Sequence, residues 1–142
     1  MDFTVSLTYL LTQVCNIFRD SLDKSLKEIG LNGGQIFILI ALWQNNGQSQ
    51  TSLAQTLSLS TPTINKMVKS LINNDFVKSE KCTGDGRVVR VYLTDKGLNC
   101  RNLVEKQWST LETSFFSHLS ETEKLIFLQI LDKLKQNLLS KE

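Results

Sequence analysis

The chain has 142 residues, the size of one ordinary domain, with 41% hydrophobic and 21% charged residues. This balance is typical of a soluble globular protein and argues against disorder. The net charge of +2 is too small to indicate nucleic-acid binding by itself. The segment from Ser49 to Thr94, however, contains six lysines and arginines against three acids, so the positive charge is concentrated where phosphate contacts could form.

The start of the chain and its cysteines indicate a cytoplasmic protein. The first 17 residues have no basic segment, and polar residues interrupt their apolar ones, so no signal peptide is predicted. No stretch has the length of a membrane span. Cys15, Cys82 and Cys100 are an odd number without metal-site spacing, and His118 is the only histidine. We therefore predict no metal, no cofactor and no membrane partner.

Apolar periodicity predicts helices in the first half of the chain. Residues at three-to-four spacing predict one amphipathic helix from Phe3 to Ile29, ended by Gly30. Asn32 and Gln35 have the spacing of a capping box at the start of a strongly apolar second helix. A short third helix fits residues 49–57.

A fourth helix is predicted from Thr61 to Asn73. Ser60-Thr61-Pro62 is a typical helix start, because proline is tolerated in the first turn. Its predicted buried side consists of Ile64, Met67, Val68, Leu71 and Ile72. The opposite face has lysines with amide and hydroxyl groups and no acid, which suits contacts to phosphates and base edges. The alternative is an ordinary solvated helix face.

The hydrophobic period then changes to that of strands. Val77–Lys81 and Val88–Leu93 predict a β-hairpin around Thr83-Gly84-Asp85-Gly86, because Asp-Gly is a strong turn signal. Thr94 would cap a helix from Asp95 to about His118, and Ser120 and Glu123 form a capping box for the last helix. The predicted fold is mainly α with a small β-hairpin wing: a winged helix-turn-helix with six helices.

The hairpin contains a candidate minor-groove contact. Arg87 follows Asp85-Gly86 at the tip, and an arginine on a thin β-loop can enter the minor groove. Asp85 could hold the guanidinium through a carboxylate pair. The alternative is a plain surface turn.

Four segments carry a family resemblance. Asp85-Gly86-Arg87 running into Leu93-Thr94-Asp95-Lys96-Gly97 resembles the wing of the MarR family. Leu31–Gln35, Ser49–Ser60 and Leu119–Glu123 are similar to that family's entry to the second helix, its helix-turn-helix and its entry to the last helix. The resemblance covers nearly the whole chain. It implies one domain over 1–142, with a dimerisation region at 1–30 and 95–142 and a DNA-binding lobe at 31–94.

The resemblance also implies a site and a function. The DNA-binding candidates lie in the helix-turn-helix and the wing: Gln50, Thr51, Thr61, Thr63, Asn65, Lys66, Lys69, Asp85, Arg87 and Arg90. The family typically represses transcription and releases DNA when a small molecule binds, for which the candidate pocket residues are Arg19, Phe37, Ile40 and Arg101. The alternative is that Phe37 and Ile40 are core residues and both arginines are surface residues. The apolar terminal helices independently predict a homodimer reading a pseudo-palindromic operator.

Three alternatives remain at this point. An oxidant-sensing regulator of the same fold could use Cys15, which we predict to be buried, or Cys82, which we predict to be more exposed. A helical interaction module would leave the wing without a role. An enzyme is not expected, because the chain has no phosphate loop, no dinucleotide fingerprint and no acid cluster.

Overall fold

The computed structural model describes residues 1–84 and 86–140, and the chain divides into two compact units, Met1–Trp108 and a second unit that begins at Ser109. The helices are α1 (Leu7–Leu26), α2 (Gln35–Gln44), α3 (Gln50–Leu57), α4 (Thr61–Asn73), α5 (Asp95–Asn99), α6 (Arg101–Phe115) and α7 (Glu121–Leu139), and the strands are β1 (Gln48–Ser49), β2 (Val77–Lys81) and β3 (Val89–Leu93). Five of these helices were predicted in the observed order. The remaining predicted helix, Asp95 to His118, is divided into α5 and α6 at Cys100 and ends at Phe115.

The first predicted helix is shorter than its apolar pattern indicated. Phe3–Val5 and Lys27–Ile29 are single 3₁₀ turns, and α1 lies between them. Ser6 separates the first turn from α1, because its side chain accepts the backbone N–H of Tyr9 and so starts a new helix. Gly30 ends the segment as predicted, in the left-handed conformation at φ 86°.

The core of the first unit lies between the end of α1, helices α2 to α4 and the sheet. Leu26, Ile36, Leu39, Leu53, Ile64, Leu71 and Val91 are all completely buried. Only the last part of α1 contributes, through Leu22 and Leu26. Ile72 was predicted to be buried, but its side chain is 37% exposed. The reason is that the buried side of α4 is a narrow stripe formed by Ile64, Val68 and Leu71.

The sheet has three antiparallel strands in the order β1-β3-β2. The hairpin of β2 and β3 was predicted, with Val77 opposite Leu93 and Lys81 opposite Val89. Strand β1 was not predicted, because two residues are too few to show a period. It pairs Gln48 with Val91, which attaches the start of α3 to the wing.

Close packing joins α5 to the segment between α4 and β2. Thr94 caps α5 by accepting the backbone N–H of Gly97 at 3.1 Å, and its own N–H donates to the carbonyl oxygen of Phe76 at 3.1 Å. A Cβ at Gly97 would lie 2.1 Å from that same oxygen, so no side chain fits there. The indole N–H of Trp43 donates to the Gly97 carbonyl at 2.9 Å.

The second unit contains the end of α6 and α7. The predicted capping box at Ser120 and Glu123 is confirmed, with the Ser120 N–H donating to the Glu123 carboxylate at 2.7 Å. The Phe116 ring lies edge-on to Phe115 and 6.1 Å from Phe127 between ring centres. Across the described residues, none of the helices is both long and apolar enough to cross a membrane.

Candidate nucleic-acid interface

Helix α4 has one buried and one exposed face, as its sequence predicted. The Ser60 hydroxyl caps it, lying 3.4 Å from the backbone N–H of Thr63 and 2.8 Å from the Thr63 hydroxyl. Ile64, Val68 and Leu71 anchor the helix in the core.

The exposed face of α4 gathers the predicted contact residues of this helix. They are all exposed: Thr61, Thr63, Asn65, Lys66 and Lys69. Within residues 1–84 and 86–140, no carboxylate forms an ion pair with Lys66 or Lys69. Both ammonium groups are therefore available to an external anion such as a DNA phosphate.

The start of α3 lies beside α4 in a helix-turn-helix. Ser49 caps α3 by accepting the N–H of Ser52 at 3.1 Å, and Ser58 ends it in the left-handed conformation at φ 54°. Gln50 is half-buried and Thr51 is exposed. The N-terminus of α3 is the end of the helix dipole that favours anions, and its Ser52 N–H is already bonded to the Ser49 cap.

The wing reaches the start of α3. Residues 49–51 and 87–89 line a common cleft of about 380 Å³. Arg87 is exposed at the tip of the hairpin. Asp85 lies outside the described residues, so its predicted pairing with Arg87 stays a prediction.

Arg90 has a structural contact that the sequence did not reveal. Its guanidinium donates to the Gly47 carbonyl at 2.9 Å, while the side chain stays exposed. Gly47 has φ 79°, and a Cβ there would lie 2.7 Å from the Tyr92 ring. Arg90 therefore fastens β3 to the turn before β1, which limits its freedom to reach DNA.

Gln48 also helps to build the site, a role that was not predicted from the sequence. Its buried amide donates to the carbonyls of Ala41 at 2.9 Å and Asn45 at 2.8 Å, and its oxygen accepts the Ser52 hydroxyl at 3.2 Å. These bonds hold the start of α3 against the end of α2. A lone glutamine in a polar segment gives no signal of such burial.

Two of the four candidate pocket residues, Arg19 and Arg101, each lie against an aromatic ring. The Arg19 guanidinium is 5.7 Å from the Phe37 ring centre, and Arg101 is 5.8 Å from the Trp43 ring centre. Arg101 also bonds Glu105 at 2.7 Å, and Ile40 is half-buried. The structure thus brings Arg19 and Phe37 together, and a pocket shared by all four residues stays a prediction.

The predicted exposures of the cysteines were wrong. Cys15 is exposed, because α1 packs into the core only beyond it, through Leu22 and Leu26. Cys82 is half-buried in the hairpin, where its N–H donates to the Val88 carbonyl at 2.8 Å. Cys100, at the break between α5 and α6, lies 3.4 Å from the Gly97 carbonyl oxygen, and burial raises the pKa of its thiol.

Comparison with known proteins identifies this architecture. The sequence model of the MarR family matches residues 31–89. The HTH-type transcriptional regulator PchR of Bacillus subtilis (strain 168) is 26% identical over 145 residues, covering 96% of this chain and 86% of PchR.

Solved structures extend the likeness over nearly the whole chain. Reduced AbfR bound to DNA is 30% identical, with a TM-score of 0.78 over 93% of this chain and 92% of that chain. Overoxidised AbfR bound to DNA has also been solved, with a TM-score of 0.73 at 28% identity over 92% of this chain and 90% of that chain. A MarR transcriptional regulator from Methanosarcina mazei Go1 has the same fold, with a TM-score of 0.88 at 21% identity over 96% of this chain and 98% of that one. The chain therefore belongs to the MarR family and is a helix-turn-helix transcriptional regulator of the MarR type.

Proposed function

We propose that the chain is a cytoplasmic repressor that binds a specific DNA sequence as a homodimer and is released from it by a small molecule. The observation that carries this proposal is the acid-free, exposed face of α4 beside a wing that places Arg87 in one cleft with the start of α3. Three surfaces that suit DNA thus belong to one compact unit, Met1–Trp108. No catalytic role is proposed.

The chemistry of each surface suggests its contact. Helix α4 would lie in the major groove, where Lys66 and Lys69 can reach phosphates or guanine edges and Asn65 can pair with adenine. Arg87 would enter the adjacent minor groove, where the negative potential is concentrated. Gln50 and Thr51 would meet the backbone at the start of α3.

Exposed apolar surface supports the dimer. On α1, Leu7 is 86% and Ile17 60% exposed, and on α7 Leu125 is 63% and Leu128 64% exposed. Leaving such side chains in water is unfavourable, and a second copy of the chain would cover them. Two-fold symmetry would then place two α4 helices on half-sites roughly 34–36 Å apart.

Release requires a ligand that prefers a conformation unfit for DNA. The Arg19–Phe37 pair is the best-supported part of the candidate pocket, because a cation beside an aromatic ring suits an aromatic anion. Oxidation is the second candidate signal, with Cys15 on α1 and Cys82 at the wing as the candidate thiols. The existence of reduced and overoxidised forms of AbfR supports this alternative as well.

The variant R87A tests the proposed use of the wing. On a duplex that the wild-type chain selects from genomic DNA, we expect R87A to bind about tenfold more weakly, because each half-site loses one minor-groove cation. The slope of log affinity against log salt should become shallower by about 2 for the dimer. Fluorescence anisotropy at several salt concentrations measures both quantities.

The matched control is K133A, which removes one exposed cation from α7 and should leave both quantities unchanged. If R87A and wild type had equal affinities and equal slopes, the wing would be a surface hairpin without a role in DNA binding.

A further inference from the structure

A chain of hydrogen bonds leads from α1 to α4 through the loop at residues 30–34. The Asp23 carboxylate on α1 accepts the backbone N–H of Gly33. A Cβ on Gly33 would lie 2.8 Å from that carboxylate, so the loop lies close against α1 at this point. The Asn32 side chain then accepts the N–H groups of Gly34 at 3.0 Å and Gln35 at 2.9 Å.

The last link of this chain is a buried side-chain amide. Gln35 is only 5% exposed, and its oxygen accepts the Asn32 N–H at 3.2 Å. Because a backbone N–H can only donate, this bond fixes which way the amide is turned. The amide nitrogen must therefore face Ser70 on α4, to whose hydroxyl it donates at 2.6 Å.

Ser70 lies one turn after Lys66 on the flank of α4, next to Lys69. The apolar contacts of Ile64, Val68 and Leu71 hold α4 in the core, but such contacts are not directional. A hydrogen bond is directional, and this one, between the buried Gln35 amide and the half-buried Ser70 hydroxyl, resists rotation of the helix about its own axis.

We propose that Gln35 is a positioning residue for DNA recognition: through Ser70 it sets the rotation of α4, and with it the direction of Lys66 and Lys69. The inference rests on the proposed function. Loss of this bond should affect sequence-specific binding only, because a rotated α4 keeps its charge but loses its alignment with base edges. Removing the bond should therefore weaken binding to the selected duplex and leave binding to an unrelated duplex unchanged.

The variants S70T and S70V provide a matched test. Threonine and valine have the same shape and similar helix propensities, but only threonine keeps the hydroxyl. We expect S70V to bind the selected duplex about fivefold more weakly than S70T, the usual size of one lost hydrogen bond. Both variants should bind an unrelated duplex equally well at the same salt concentration, since neither changes the charge.

Equal affinity of S70V and S70T for the selected duplex would overturn the inference. An equal loss on both duplexes would also overturn it, since that result indicates general destabilisation. If S70V does not fold, Q35M provides the same comparison with wild type, because methionine keeps the length of the side chain and removes the amide. A wild-type chain that does not distinguish the two duplexes would refute the proposed function, and this inference with it.

Discussion

The double variant K66A/K69A is expected to bind the selected duplex about a hundredfold more weakly than wild type, because a dimer loses four cations from its two recognition helices. The slope of log affinity against log salt should become shallower by about 4. Both lysines are exposed, and alanine is the best helix former, so α4 should stay folded. Anisotropy titrations at several salt concentrations give the affinities and slopes, and circular dichroism checks the helix content.

The control for net charge is K133A/K135A, which removes two exposed cations per chain from α7. If it weakened binding as strongly as K66A/K69A, the interaction with DNA would depend on total charge, and the face of α4 would have no special part. We expect K133A/K135A to bind the selected duplex like wild type.

The variant G97A is expected to lower the free energy of unfolding by about 2–4 kcal/mol, as overpacked sites do. The direction of this change in the free energy of unfolding is informative, because replacing glycine by alanine inside a helix ordinarily stabilises a protein by about 1 kcal/mol. Here the new methyl group would lie 2.1 Å from the Phe76 carbonyl oxygen and 3.2 Å from Leu93. Helix α5 would have to move, which also strains the bond from Trp43 to the Gly97 carbonyl.

Urea denaturation at one protein concentration measures this change, since the stability of a dimer depends on concentration. The matched control is G84A at the wing, where a Cβ meets nothing within 4 Å. A G97A chain as stable as G84A would show that α5 does not pack on Phe76 as described.

Local chemistry made much of the fold predictable. Helix starts at Ser60, Thr94 and Ser120 follow from side chains that accept N–H groups of the first turn, a rule that operates over three residues. Strand β1 could not be predicted, because its pairing of Gln48 with Val91 joins residues far apart in the chain. The exposure of Cys15 was equally out of reach, since the pattern of α1 does not show where its contact with the core begins.

The candidate site was likewise predictable from the sequence only in part. The exposed face of α4 could be predicted, because helical geometry and one acid-free polar stripe define it. The bonds from Arg90 to Gly47 and from Gln35 to Ser70 could not, because each depends on a contact between distant elements. Sequence thus indicated which groups could face DNA, and the tertiary structure indicates which groups hold them in place.

Selection of bound duplexes from a pool of short genomic fragments by the wild-type chain tests whether a two-fold dimer recognises a specific DNA sequence. We expect enrichment of a pseudo-palindrome whose half-sites are centred about 10 base pairs apart, as two symmetry-related α4 helices require. Enrichment should fall as salt rises. A pool that stays unenriched at low salt, or enrichment of a single unrepeated site, would contradict recognition of DNA by a two-fold dimer.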